Sequence, residues 1–216
     1  MQPYYSESGI TIYHGDCREV LPTLEFSSVV TDPPYGVNAE AKPHGDHSGV
    51  IAAWDASVPY DLREAFGSKP TIWFGASTKI SEAYQTFSRV PDRMLIWAPR
   101  FTLSMISGGG IAYRFHPIYT WDLPKQKPSI HDVFTDPTEC GNWWVHQATK
   151  PVSLMQKLVN MVGDGIICDP YCGSGTTLVA AKTEGRSAIG IEINEAYCEI
   201  AANRLKQGVL FGIPAT

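Results

Sequence analysis

The last third of this chain has a regular pattern of apolar positions. Val152, Met155, Leu158, Val159 and Val162 recur at three- and four-residue intervals, which places them on one face of a helix. Gly163 and Gly165 end that helix. The run Gly165-Ile166-Ile167-Cys168 predicts a buried strand, Thr176 to Lys182 a helix closed by Gly185, and Ala188-Ile189-Gly190-Ile191 another strand. Asn194 is placed to cap a last helix that buries Tyr197, Ile200, Ala201 and Leu205 and stops at Gly208. Strands alternating with helices in this way imply parallel pairing through right-handed crossovers.

The first half is more interrupted. Ile10-Thr11-Ile12-Tyr13 alternates as a strand, ends at His14-Gly15-Asp16, and leads into a short helix through Val20 and Leu24. Further strands are predicted at Ser28-Val29-Val30-Thr31, from Lys69 to Phe74 and from Met94 to Trp97, with Ser77 capping a helix to about Phe87. Residues 36–58, with Gly36, Gly45, Gly49, His44 and His47, read as a long loop. Gly108-Gly109-Gly110 precedes one or two hairpin strands from Ile111 to Trp121, and residues 122–145 predict irregular structure. The sum is an α/β chain with a mixed, mostly parallel sheet and helices on both faces. Its 216 residues suffice for a single domain with a sizeable core.

Composition narrows the class without choosing it. Hydrophobic residues at 44% and charged residues at 18% describe a globular protein, and no apolar run approaches a membrane span. The segment Met1 to Ser6 does not resemble a signal peptide, and cysteines that read as reduced thiols point to an intracellular, cytoplasmic location. Five cysteines without framework spacing predict reduced, buried thiols, and His131, Cys140 and His146 lack metal-ligand spacing, so no metal is assigned. A net charge of −5 argues against strong non-specific binding to nucleic acid. Arg93, Arg100, Arg114, Lys125 and Lys127 nevertheless fall in the middle third, where any salt-sensitive DNA contact is expected. Paired tryptophans at 143 and 144 read as cover for a core edge, and Trp54 in the long loop reads similarly.

Asp32-Pro33-Pro34-Tyr35 follows a predicted strand directly. Prolines stiffen the turn and free their carbonyls, so one carboxylate and one carbonyl could accept both hydrogens of an exocyclic amine while Tyr35 offers a face to its ring. An ordinary strand-ending turn fits these four residues equally well. The second half of the chain tips the balance. Asp169-Pro170-Tyr171-Cys172-Gly173-Ser174-Gly175-Thr176-Thr177 lies between a strand and a helix, where glycines permit close approach of a ligand. Glu192 ends the next strand, 23 residues beyond Asp169, at the spacing of an acid that holds ribose hydroxyls. A P-loop needs a lysine where Thr176 stands, and a dinucleotide fingerprint needs a glycine where Leu178 stands. A nucleoside with a zwitterionic tail fits better, and S-adenosylmethionine is such a molecule.

Together these segments resemble the amino-methylating DNA methyltransferases. The resemblance rests on Thr31-Asp32-Pro33-Pro34-Tyr35-Gly36, Thr149-Lys150-Pro151-Val152-Ser153-Leu154, Asp169 to Thr177, and Gly190-Ile191-Glu192. With the proline turn ahead of the glycine turn, the order is that of the circularly permuted beta group, many of whose members methylate N6 of adenine. The resemblance implies a single Rossmann-like methyltransferase domain over residues 1–216, with a catalytic half at 1–99, a target-recognition insert at 100–145 and a cofactor half at 146–216. It gives Asp32, Pro33, Pro34 and Tyr35 the target base. Lys150, Ser153, Asp169, Gly173, Ser174, Gly175 and Thr176 would surround the methionine part of S-adenosylmethionine. Glu192 would hold its ribose, and Asp16 would lie near its adenine. The acid at position 32 is the usual adenine form; cytosine N4 enzymes more often carry serine there.

His146-Gln147-Ala148-Thr149 departs from the pattern, since a proline is expected after the histidine. The insert is also short, which leaves either a loosely read DNA site or contacts supplied by a second copy in a homodimer. Small enzymes of this kind look similar to ones encoded by bacteriophages. Two other functions stay open: methylation of another planar amide or amine, and a non-enzymatic module that binds cofactor or DNA.

Overall fold

β-Branched and aromatic residues whose burial alternates between two faces build a central sheet. The computed structural model describes residues 1–35, 58–100, 105–106, 112–138 and 149–207. Its strands are β1 (Tyr5–Glu7), β2 (Ile10–His14), β3 (Ser28–Thr31), β4 (Thr71–Phe74), β5 (Arg93–Trp97), β6 (Met105–Ile106), β7 (Ala112–Tyr113), β8 (His116–Trp121), β9 (Val133–Phe134), β10 (Ile167–Asp169) and β11 (Ala188–Glu192). The helices are α1 (Cys17–Val20), α2 (Ile80–Thr86), α3 (Val152–Met161), α4 (Thr176–Thr183) and α5 (Glu195–Lys206).

Nine strands form one sheet in the order β1-β2-β11-β10-β3-β4-β8-β5-β9, and β6 pairs with β7 apart from it. Strands β2, β11, β10, β3 and β4 run parallel; β8 reverses direction between β4 and β5. The mixed, mostly parallel sheet agrees with the expectation from sequence. Strand alternation sends Val30, Ile72 and Phe74 to one face, beneath α3, α4 and α5, and Val29 and Trp73 to the other, with Phe66, Phe87 and Trp121. Helices on both faces follow from this two-sided burial.

Several local expectations need correction. Ser77 does not cap a helix. The chain leaves β4 in extended backbone and enters a 3₁₀ turn at Ser77–Lys79, before α2 begins without a side-chain cap. The segment after β8 is not wholly irregular, because β9 adds a parallel edge to β5. In α5 the fully buried residues are Cys198, Ala201, Ala202 and Leu205, whereas Tyr197 and Ile200 are only half-buried. Cys17, Cys168, Cys172 and Cys198 are buried free thiols, and Cys140 lies outside the described residues with Trp54, Trp143, Trp144, His44, His47, His146 and Gly208. Among the described residues no helix is long and apolar enough to cross a membrane.

Small residues let α5 approach the start of α4 closely. Gly175 adopts a left-handed backbone, φ +81°, and a Cβ there would stand 2.8 Å from Cβ of Ala201. A left-handed conformation costs an L-residue about 1–2 kcal/mol, and overpacking adds about 1–3 kcal/mol. Gly175→Ala is therefore expected to lower the unfolding free energy by about 2–5 kcal/mol in urea titrations. A loss below about 0.5 kcal/mol would mean that the turn is not held as described.

Candidate active site

Five parallel strands carry the sequence-predicted residues to one end of the sheet. In strand order, that end presents His14-Gly15-Asp16 after β2, Glu192 on β11, Asp169 on β10, Thr31-Asp32 at the end of β3 and Phe74 on β4. The proline turn and the glycine turn, distant in the chain, are therefore neighbours. A cleft of about 320 Å³ joins them, lined among others by Asp16, Arg18, Pro34, Pro170, Tyr171 and Glu192.

Local backbone chemistry shapes the glycine turn. Gly173 takes φ +50°, and its N–H donates to Oε2 of Glu192 at 2.9 Å; the N–H of Asn194 donates to Oε1 at 2.8 Å. Glu192 is buried, and that burial pushes its pKa up to about 7 against the pull of these N–H groups. An ionised carboxylate has about four acceptor positions, so capacity remains for a ligand hydroxyl. Asp16 caps α1 by accepting from the N–H of Arg18 at 2.8 Å, which holds its carboxylate at the cleft wall. Ser174 and Thr176 are tied to α5: the Arg204 guanidinium donates to the Ser174 carbonyl at 2.7 Å and to both hydroxyls at 3.1 Å.

At the proline turn both oxygens of Asp32 are engaged. Tyr35 donates its hydroxyl to Oδ1, and the Lys150 ammonium donates to Oδ2. Lys150 is buried, 5.4 Å from the ring centroid of Tyr35 and 5.0 Å from that of Phe74. The resemblance placed Lys150 and Ser153 beside a methionine moiety. Here Lys150 belongs to Asp32, and Ser153 donates to Oδ1 of Asp136 at 2.9 Å, where Lys157 also binds at 2.7 Å.

Three residues that motif reading missed lie beyond Phe74. The Trp97 indole N–H donates to the Asp136 carbonyl at 2.9 Å, and His116 stacks on Trp97 with centroids 4.9 Å apart. Burial, reinforced by Lys150, pushes the His116 pKa down to about 4, so the ring is neutral at ordinary pH. No periodicity or spacing marks these residues; only the pairing of β5 with β8 on one side and with β9 on the other brings them together. Thr31 and Thr177 were also missed, although both stand inside quoted motifs: they donate to Asp169 at 2.8 and 2.5 Å.

The five middle-third cations divide between the two ends of the sheet. Arg100 follows β5 and Arg114 precedes β8, both at the cleft end, whereas Arg93 starts β5 and Lys125 and Lys127 follow β8 at the opposite end. Among the described residues no group of three or more His, Cys, Asp or Glu is arranged to hold a metal ion.

Comparison with known proteins gives this geometry a context. A family model described as DNA methylase matches residues 71–203. The type II methyltransferase M.ScaI of Streptomyces caespitosus is 26% identical over 95% of this chain and 84% of its own. The type II methyltransferase M.HindIII of Haemophilus influenzae is 48% identical over 67% of this chain and 41% of its own. The fold is that of M1.HpyAVI, with TM-score 0.66 at 20% identity over 91% of this chain and 98% of that one. M1.HpyAVI has also been solved as a complex with SAM. The PvuII DNA methyltransferase, described as cytosine-N4-specific, shares the fold with TM-score 0.69 at 17% identity over 100% of this chain and 91% of that one.

Two buried acids make the unliganded protein sensitive to pH. Burial raises Asp169 to about 6 and Glu192 to about 7, from ordinary values near 4. A carboxyl group raised on folding favours the fold fully below its unfolded pKa and loses that contribution as pH rises through its folded value. These two groups therefore weaken the unliganded fold between about pH 4 and pH 7. Glu192→Gln is expected to flatten the upper part of that decline in urea titrations at pH 5, 6, 7 and 8. An unchanged slope would remove Glu192 as its source.

Proposed function

The chain belongs to the DNA methylase family, and from that premise we propose that it transfers a methyl group from S-adenosylmethionine to the exocyclic N6 amine of an adenine turned out of duplex DNA. One observation carries this reading: the cleft that holds Glu192 and Asp16 reaches the proline turn through Pro34 and Pro170. A nucleoside-binding acid and an amine-binding turn thereby share one wall.

S-adenosylmethionine, when bound, supplies a methyl group that is already electrophilic on its sulfonium. The residues present suit it: Glu192 keeps acceptor capacity for a ribose hydroxyl, Asp16 at the cleft wall would face the adenine, and Gly173 adds no side chain to the turn beside Glu192. The chain's own task is the amine. An exocyclic amine is a poor nucleophile because its lone pair is delocalised into the ring. Accepting its two hydrogens at Asp32 and at the Pro33 carbonyl favours the localised lone pair that attack requires. Tyr35 offers the ring a stacking face. Lys150 occupies the same carboxylate, between the same aromatic rings, so the target amine has to share or displace its ammonium.

Turning the base out costs a few kcal/mol. Stacking on an aromatic returns about 1–3 kcal/mol, and a hydrogen bond to a charged acceptor about 1.5–3 kcal/mol. Neither contact alone comfortably offsets the cost. The acid at position 32 supports adenine. The second reading, cytosine N4, is favoured by the shared fold with a cytosine-N4-specific enzyme. Arg100 and Arg114 stand at the end of the sheet where phosphates would lie; within residues 100–145, β8 and β9 belong to the central sheet, so target recognition would rest on the remainder of that segment, and a second copy of the chain could complete a recognition surface this short.

Asp32→Ala is expected to reduce label transfer from radioactive S-adenosylmethionine to DNA by about 10²–10³-fold or more, while cofactor affinity by calorimetry stays within about twofold. Turnover close to wild type would end the assignment, and digestion of the product to nucleosides names the modified base. Arg114→Ala is expected to weaken DNA binding and shallow its salt dependence by about one counterion, with Lys125→Ala nearly silent. Equal effects would mean that DNA does not lie over the cleft end.

A further inference from the structure

Asp169 was expected to face the cofactor, but its carboxylate is sealed inside the protein. The residue is 2% exposed. Its Oδ1 accepts from the Thr31 hydroxyl at 2.8 Å and from the Tyr171 N–H at 3.1 Å; its Oδ2 accepts from the Thr177 hydroxyl at 2.5 Å. These three donors come from three elements: the end of β3, the turn after β10, and the first turn of α4. Burying a carboxylate is costly even when it is hydrogen-bonded, and an apolar group of similar volume would fill the space at less cost. Packing alone therefore does not account for an acid here.

Strand register shows what the carboxylate holds. The ladder between β3 and β10 pairs Ser28 with Ile167 and Val29 with Cys168. Two residues further along β3 and one further along β10, the diagonal Thr31–Asp169 bond continues that connection up to the peptide from which Asp32 departs. On its other side Thr31 is registered with Trp73 of β4. The same Asp169 fixes Thr177 at the start of α4 and the backbone of Tyr171 in the cleft wall.

Resting on the activity proposed above, we infer that Asp169 is a positioning residue: through Thr31 it sets the direction in which Asp32 leaves β3 relative to the glycine turn, and it does not contact the methyl donor. Alignment of this kind governs rate rather than binding, because a misplacement of about 1 Å between reacting groups can cost about 10²-fold. Thr31 and Thr177 belong to the same device.

The test uses the full chain with Thr31→Val, Thr31→Ser, Asp169→Asn and the Thr31→Val/Asp169→Asn double variant. Methyl transfer is measured at saturating cofactor and DNA, cofactor affinity by calorimetry, and stability by urea unfolding. Thr31→Val is expected to lower kcat about 10- to 100-fold with cofactor Kd within twofold, and Thr31→Ser to restore at least half of wild-type kcat. The double variant is expected to be no slower than its slower parent, and the unfolding cycle to be non-additive, a readout that needs no activity. Should Asp169→Asn fail to fold, the two Thr31 variants decide alone. A Thr31→Val enzyme within twofold of wild-type kcat overturns the inference, as does a tenfold rise in cofactor Kd at unchanged kcat. A wild type that transfers no methyl to any DNA overturns the activity and this inference together, which separates the two failures.

Discussion

Parallel pairing of β3 with β10 is the constraint on which the site depends. Parallel neighbours end at the same edge of a sheet, so the turns that follow them are necessarily adjacent. An antiparallel arrangement would have sent the proline turn and the glycine turn to opposite ends. Because β11 and β2 continue the same direction, Glu192 and Asp16 extend the row away from Asp32. The side chains that do chemistry are few; the sheet lines them up.

Within that row three acids occupy different electrostatic surroundings. Asp32 is partly exposed and shares the Lys150 ammonium. Asp169 is enclosed by hydroxyls and a backbone N–H, and Glu192 accepts from backbone N–H groups. Burial raises the pKa of the latter two, while the first is paired with the Lys150 ammonium. A cationic ligand entering the cleft would favour the ionised form of a buried acid beside it, so ligand binding and proton release are coupled there. Under the proposed function the arrangement would divide labour: one acid for the target amine, one for the ligand's hydroxyls, one for the scaffold between them.

How much of this was legible follows from the range of the forces involved. The proline turn, the glycine turn and the acid 23 residues beyond Asp169 are local features, written by residues with unusual backbone freedom or restriction, and the structure places them where a parallel α/β reading puts them. The helix at α3 was equally plain, since its apolar positions share a face. Local propensity failed where packing overrode it. Ser77 lost its capping role to a 3₁₀ turn, and α5 turned its small residues inward because Gly175 and Ala201 approach so closely.

Side-chain partnerships needed the tertiary structure. Lys150 lies 118 positions from Asp32 and Thr31 lies 138 from Asp169; no spacing rule spans such distances. His116 stacks on Trp97 only because β8 reverses direction beside β5, and the middle-third cations separate into two groups for the same reason. By itself the sequence determined which short segments can bend, stay straight or accept hydrogen bonds, because those are properties of neighbouring residues. The order of strands in the sheet decided which of those segments meet, because pairing is a contest among all strands at once and is settled by the burial of both faces.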